Sequence, residues 1–120
     1  MSVLATVLIL LIAALHLYIL WFEMFAWESR GPKVFRSFPR DLFAPTKAMA
    51  ANQGLYNGFL AAGLIWSRLI SDPAWAQNVA LFFLICVAVA GIFGAATASK
   101  KIFQVQALPA LIAIVLLLIS

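Results

Sequence analysis

Ionisable and amide side chains interrupt the apolar runs of this sequence, and they are the residues that could do chemistry. His16 and Glu23 lie seven residues apart, which places them on one face of a helix, two turns from each other. A charge at the centre of a membrane helix costs about 2.5–3.5 kcal/mol, so such residues tend to face the interior of a bundle. In that setting the pair could exchange a proton or hold a cation.

A second group of polar residues follows in later apolar runs. Asn52 with Tyr56, and Gln53 with Asn57, are neighbours at the i, i+4 spacing of a helix. At a rise of about 1.5 Å per residue, all of these residues fall in the same half of the membrane. The distribution predicts a polar, ligand-binding pocket that opens to the cytoplasm, with an apolar outer half. The candidate residues are His16, Glu23, Asn52, Gln53, Tyr56, Asn57, Gln104 and Gln106.

A purely structural role explains the same residues differently. Asn, Gln and His often only join membrane helices, with pair energies of about 0.6 kcal/mol. Glu23 could form an ion pair with Lys47 or Arg30, or simply reach water at the interface. The sequence contains no nucleophile beside a base, no glycine-rich phosphate loop and no pair of histidines at metal-binding spacing. We therefore predict no metal site, and no cofactor is identified.

The composition places these residues in a membrane. Of 120 residues 66% are hydrophobic and 10% charged, which is too little polar surface to cover a water-soluble globule. The net charge of +4 does not lie on a soluble face with interleaved aromatic residues, which argues against nucleic acid as a partner. The basic residues flank apolar runs, so membrane lipids are the expected partners.

Four apolar runs are each long enough to span a bilayer as a helix. We predict one all-α domain over residues 1–120, an integral membrane four-helix bundle. Gly31, Pro32 and Pro39 predict an irregular basic loop, and Pro109 predicts a kink in the last helix. The predicted helices cover about 3–27, 45–70, 76–98 and 102–119, and the basic loop covers 28–44.

Lys and Arg residues predict the orientation. Most of them lie in the loops after the first and third helices, whereas Arg68 lies toward the opposite side. Cytoplasmic loops carry an excess of Lys and Arg, so both basic loops are expected in the cytoplasm and both termini outside a bacterial inner membrane. The residues on the cytoplasmic side are Arg30, Lys33, Arg36, Arg40, Lys47, Lys100 and Lys101.

Small residues predict where helices approach closely. Gly54 and Gly58 form a small-xxx-small ridge on the second helix. We favour contacts within one chain for this ridge, with a homodimer as the alternative. Cys86 lies in an apolar run and is expected to be a buried, inert thiol.

Several of these segments together resemble a bacterial family of small membrane proteins, domain of unknown function 1304. The resemblance covers essentially the whole chain. It implies a four-helix inner-membrane protein and supplies no activity or catalytic residue. The segments are Leu15-His16-Leu17-Tyr18, Glu23-Met24-Phe25, the run from Ala51 to Gly63 (ANQGLYNGFLAAG), Ala90-Gly91-Ile92-Phe93-Gly94-Ala95 and Gln106-Ala107-Leu108-Pro109-Ala110.

Three functions remain open at this point. The polar pocket could bind or transport a small molecule or a proton, with Glu23 and His16 as the titrating groups, and this is the function we favour. Alternatively, His16 could act as general acid or base in an intramembrane enzyme for a lipid-soluble substrate. The chain could also be an accessory or scaffold subunit without a ligand.

Overall fold

The computed structural model describes residues 2–119, and every regular element in that range is helical. The all-α class predicted from the sequence is therefore confirmed for these residues. The helices are α1 (Val3–Phe25), α2 (Trp27–Val34), α3 (Lys47–Leu69), α4 (Pro73–Thr97) and α5 (Leu108–Ile119), with a 3₁₀ turn at Arg40–Leu42 and a π-helical turn at Phe103–Ala107.

Two of the helices could cross a membrane. By length and composition, α1 and α4 are long and apolar enough to do so. The segment Phe103–Ile119 is apolar but shorter. Helix α3 has the same length as α1, but its amides make it much less apolar.

The predicted irregular loop over 28–44 is wrong in its first part, because α2 runs through both Gly31 and Pro32. A proline normally clashes with the Cβ of the preceding residue when that residue is helical. Gly31 has no Cβ, so the clash is largely absent, and Pro32 gives up only one backbone hydrogen bond. The helix ends where the Phe35 N–H donates to the Gly31 carbonyl, at 2.8 Å.

A widened turn precedes Pro109. The backbone is π-helical from Phe103 to Ala107, and the Leu108 N–H donates to the Phe103 carbonyl. Because Pro109 has no N–H, it cannot supply the next bond of an α-helical ladder. The wider hydrogen-bonding pattern takes up this local irregularity, so the segment continues as α5 and does not break.

Helix α4 begins three residues before the predicted start near Ala76. The Asp72 carboxylate accepts a hydrogen bond from the Trp75 N–H at 3.3 Å, and Pro73 occupies the first turn. Both features are typical of helix N-termini. The Asp-Pro pair thus starts α4, whereas the sequence pattern predicts only the end of the preceding helix there.

The chain divides into two compact units. The terminal unit contains the residues up to Ala14 and those from Leu60 onward; the middle unit contains Leu15–Phe59. The terminal unit has a core of aliphatic and small side chains, which allow helices to pack closely. These buried residues are Ala5, Ile9, Ile12, Ala13, Ala61, Leu64, Ala80, Leu84, Val87, Ala88, Ala110, Ala113 and Leu117.

The middle unit is organised around aromatic rings. The Trp27 ring lies 5.0 Å from that of Phe43, and Phe43 lies 4.9 Å from Phe38. Phe43 is buried and lies directly over Gly31, where any Cβ would overlap its ring. This close approach gives Gly31 a second structural role besides relieving the clash with Pro32.

Candidate functional site

Helices α1 and α3 bring two of the candidate residues, Glu23 and Asn57, into a contact that the sequence did not predict. The Asn57 side-chain amide donates to Glu23 Oε1 at 2.9 Å. The same Nδ2 atom donates to the backbone carbonyl of Gln53 at 3.0 Å, which holds the amide in place. Both residues are half-buried. The Glu23 carboxylate is therefore positioned by a neutral donor on the neighbouring helix.

No Lys, Arg or His side chain within residues 2–119 forms an ion pair with the Glu23 carboxylate. Glu23 takes part in no ion pair, and its second oxygen accepts no hydrogen bond from the described residues. The alternative in which Glu23 pairs with Lys47 or Arg30 is wrong. Lys47 Nζ instead lies 3.4 Å from Glu28 Oε1, and the Arg30 guanidinium lies over the ring of Trp21, 5.9 Å from its centre.

Glycines on α3 allow the two helices to approach closely enough for this contact. A Cβ on Gly54 would lie 2.8 Å from Met24 Cγ, 3.0 Å from Glu23 Cβ and 3.1 Å from the Leu20 carbonyl oxygen. On Gly58 it would overlap the end of the Leu20 side chain. The glycine ridge thus packs against α1 of the same chain, as predicted.

His16 is fully buried, but it does not contact Glu23. The two turns that separate them on α1 correspond to about 10 Å along the helix. No buried side-chain nitrogen or oxygen among the described residues lacks a hydrogen-bond partner, and His16 has a partner of its own. Proton exchange directly between His16 and Glu23 is therefore not supported by the geometry.

Three further candidates on α3 lie at its surface. Asn52, Gln53 and Tyr56 are exposed, and their side chains make no hydrogen bond within residues 2–119. The predicted neighbour Asn57 uses the backbone of Gln53, not its side chain. Of these four polar residues, only Asn57 therefore forms a side-chain hydrogen bond with Glu23.

The two glutamines of the last apolar run belong to the terminal unit. Gln104 and Gln106 lie in the π-helical turn Phe103–Ala107. Gln104 is exposed, and Gln106 is half-buried and takes part in an interaction of its own. Their role in ligand binding stays a prediction.

Two shallow surface depressions of the terminal unit are apolar. One is formed by α5 residues and the other by side chains from α3 and α4. Neither contains a candidate residue. Within residues 2–119, no three His, Cys, Asp or Glu side chains come together in a way that could hold a metal ion.

Sequence reasoning missed a hydrogen bond that joins α2 to the start of α3. Trp27 Nε1 donates to Thr46 Oγ1 at 3.0 Å, and the Thr46 hydroxyl donates to the Leu42 carbonyl at 2.7 Å. The only hint in the sequence was that Trp27 and Thr46 flank the predicted basic loop over 28–44.

Four cationic side chains of that basic loop lie at the surface: Arg30, Lys33, Arg36 and Arg40.

Comparison with known proteins gives a family without an assigned activity. Residues 10–118 match the family described as "Protein of unknown function (DUF1304)". The chain is also similar to the uncharacterized protein YpaA of Lactococcus lactis subsp. lactis (strain IL1403), with 32% identity over 117 residues, which cover 96% of this chain and 97% of that protein. No solved structure matches the chain.

Proposed function

The chain belongs to the family of proteins of unknown function DUF1304, and from its own residues we propose that it is a four-span membrane protein in which Glu23 binds a small organic cation in competition with a proton. The contact that carries the proposal is the Glu23–Asn57 hydrogen bond of 2.9 Å, because it holds a carboxylate that has no cationic partner within residues 2–119. Binding is the step that transport of such a cation would require.

The membrane arrangement uses all four apolar segments. Helices α1 and α4 are two of the spans, and the apolar segment Phe103–Ile119 is the third. Helix α3 is the fourth, since its 23 residues are long enough to cross the hydrocarbon core. The Asn57 amide is tolerated there, because its interhelical hydrogen bond to Glu23 replaces one lost to water.

If α1 spans the membrane, the Glu23 carboxylate carries a high free-energy cost. A carboxylate inside a membrane is stable only if a counter-charge, a proton or hydrogen-bond donors compensate it. Asn57 supplies one donor to Oε1, and the second oxygen remains available. A bound cation or a proton can each satisfy that oxygen, so the two compete for one site.

The proposal is tested with tetraphenylphosphonium as the probe. Binding to the purified full chain in detergent is measured by titration calorimetry for the wild type, Glu23→Gln and Glu28→Gln. Glutamine preserves the size of Glu23 and removes its charge, so we expect at least a tenfold loss of affinity. Glu28→Gln is the matched control, because Glu28 is an exposed glutamate that is paired with Lys47.

The pH dependence gives a second measurement on the same samples. Protonation of Glu23 removes the charge that attracts the probe, so binding is expected to weaken as the pH falls. At a pH where Glu23 is protonated, binding of the probe should release that proton. Equal affinity of the wild type and Glu23→Gln, or no binding by the wild type, would contradict the proposal.

A further inference from the structure

One face of α3 carries exposed side chains that the fold does not use. Met49, Tyr56 and Phe59 are each more than half exposed, and Asn52 between them is exposed as well. We call these four residues the amide face. Tyr56 and Phe59 are in ring contact with each other, with centres 6.1 Å apart.

The amide face lies opposite the glycine ridge. Gly54 and Gly58 pack against Leu20, Glu23 and Met24 of α1, so that side of α3 is already occupied. The amide-face residues follow each other at intervals of three, four and three, which is the spacing of a seam between two helices. This stripe is therefore suited to pack against another helix.

The polar groups of the amide face need partners if α3 lies in the membrane. Neither the Asn52 amide nor the Tyr56 hydroxyl has a hydrogen-bond partner within residues 2–119. In hydrocarbon an amide or hydroxyl without a hydrogen-bond partner is costly in free energy. Lipid tails offer neither donors nor acceptors, so lipid alone does not satisfy these groups.

A second copy of the same chain supplies the missing groups. An asparagine amide has both a donor and an acceptor, so two asparagines that face each other satisfy one another. We infer that the amide face binds a second copy of this chain, with α3 packed against α3 about a twofold axis along the membrane normal. This inference rests on the membrane-spanning part of the proposed function.

The orientation of the two copies follows from the charge bias. If every copy inserts with its basic loops in the cytoplasm, two α3 helices in one dimer are parallel. A twofold axis between parallel helices brings identical residues together, so Asn52 faces Asn52 and Phe59 faces Phe59. A single asparagine in a helical seam is also known to fix the register of parallel dimers.

Cysteine cross-linking in native membranes tests the dimer. In a Cys86→Ala background, Met49→Cys and Phe59→Cys are each oxidised, and covalent dimers are quantified on non-reducing gels. We expect rapid cross-linking at both positions. Val89→Cys is the matched control, because Val89 is similarly exposed but lies on α4. Absence of cross-linking, or equal rates at Val89, overturns the dimer and favours a different partner or lipid at this face.

The role of the amide is tested in the Phe59→Cys background. Asn52→Leu should lower the cross-linking rate at least severalfold, whereas Asn52→Gln should retain it because glutamine keeps a donor and an acceptor. Unchanged cross-linking in Asn52→Leu overturns the assignment of Asn52 to the interface. Glu23→Gln should cross-link like the wild type, so failure of cation binding and failure of dimerisation are separate results.

Discussion

At the scale of single residues, the chemistry of Glu23 is set by a neighbour that is 34 positions away in the chain. Spacing along α1 paired Glu23 with His16, yet the observed hydrogen bond comes from Asn57 on α3. Residues on one helix at a separation of seven share a face, but they lie about 10 Å apart and do not touch. The close approach of α1 and α3 at Gly54 decides which side chain reaches the carboxylate.

Asn57 is predicted to be a positioning residue for cation binding. Asn57→Leu preserves the approximate size of the side chain and removes the donor to Glu23. A hydrogen bond to a charged group contributes about 1.5–3 kcal/mol, and its loss disfavours the charged form of Glu23 that binds the probe, so affinity for tetraphenylphosphonium should fall at least about tenfold in competition with a proton. Titration calorimetry on the full chain measures this change.

The control for this variant is Asn78→Leu, which changes an exposed asparagine of α4 to the same residue. It should bind the probe like the wild type. Thermal unfolding of both variants separates the effects, because a loss of binding with an unchanged unfolding midpoint assigns Asn57 to the site. A folded Asn57→Leu protein that binds like the wild type contradicts the role proposed for the Glu23–Asn57 bond.

At the scale of helices, apolar runs predicted the long elements better than the connections. Proline chemistry predicts the end of a helix at Pro32 and a kink at Pro109. At Pro32 the preceding Gly31 relieves the clash and lies under the Phe43 ring, a contact that requires knowledge of the fold. Near Pro109 the widened turn was not predictable, because apolar periodicity does not report a local change in hydrogen-bonding pattern.

Close packing of the π-helical turn against α4 predicts a specific glycine requirement. An added Cβ at Gly91 would lie 2.6 Å from the backbone nitrogen of Ala107 and 2.9 Å from its Cα. Backbone cannot rotate away, so Gly91→Ala should force the turn to shift and cost roughly 1–3 kcal/mol. The expected result is a lower thermal unfolding midpoint of the full chain in detergent.

Gly94→Ala is the matched control on the same helix. Its Cβ would meet side-chain atoms of Ile102, the nearest at 2.9 Å, and no backbone atom within 4 Å is among its three nearest neighbours. A side chain can adjust, and alanine has a higher helix propensity than glycine by about 1 kcal/mol. Gly94→Ala should therefore be closer to the wild type, and a larger loss there than at Gly91 would contradict the proposed packing requirement.

At the scale of the whole molecule, composition was the most informative property of the sequence. A chain with 66% hydrophobic residues predicted an all-helical protein with membrane-crossing segments, and two helices meet the requirements of length and apolarity. The exposed amide face could not be predicted from composition. Asn52 and Asn57 are the same residue type on one helix, and only packing shows that Asn57 contacts α1 while Asn52 lies at the surface.

The charge distribution predicts the topology of the whole chain. With Arg30, Lys33, Arg36, Arg40 and Lys47 after the first span and Lys100 with Lys101 after the third, both basic segments should be cytoplasmic and both termini outside. Reporter fusions in bacterial cells measure this directly. Alkaline phosphatase is active only outside the inner membrane, and green fluorescent protein exported through the general secretory route is dark there.

Phosphatase fused after residue 119 should be active, and green fluorescent protein at that site should be dark. Fusions placed after Arg40 should give the reverse result. Because Lys and Arg set the orientation and acidic residues contribute little, Lys100→Gln with Lys101→Gln should weaken the bias less than neutralising the four basic residues at 30, 33, 36 and 40. A fluorescent fusion after residue 119 would instead place the C-terminus in the cytoplasm, and an odd number of spans would then follow if the start of the chain remained outside.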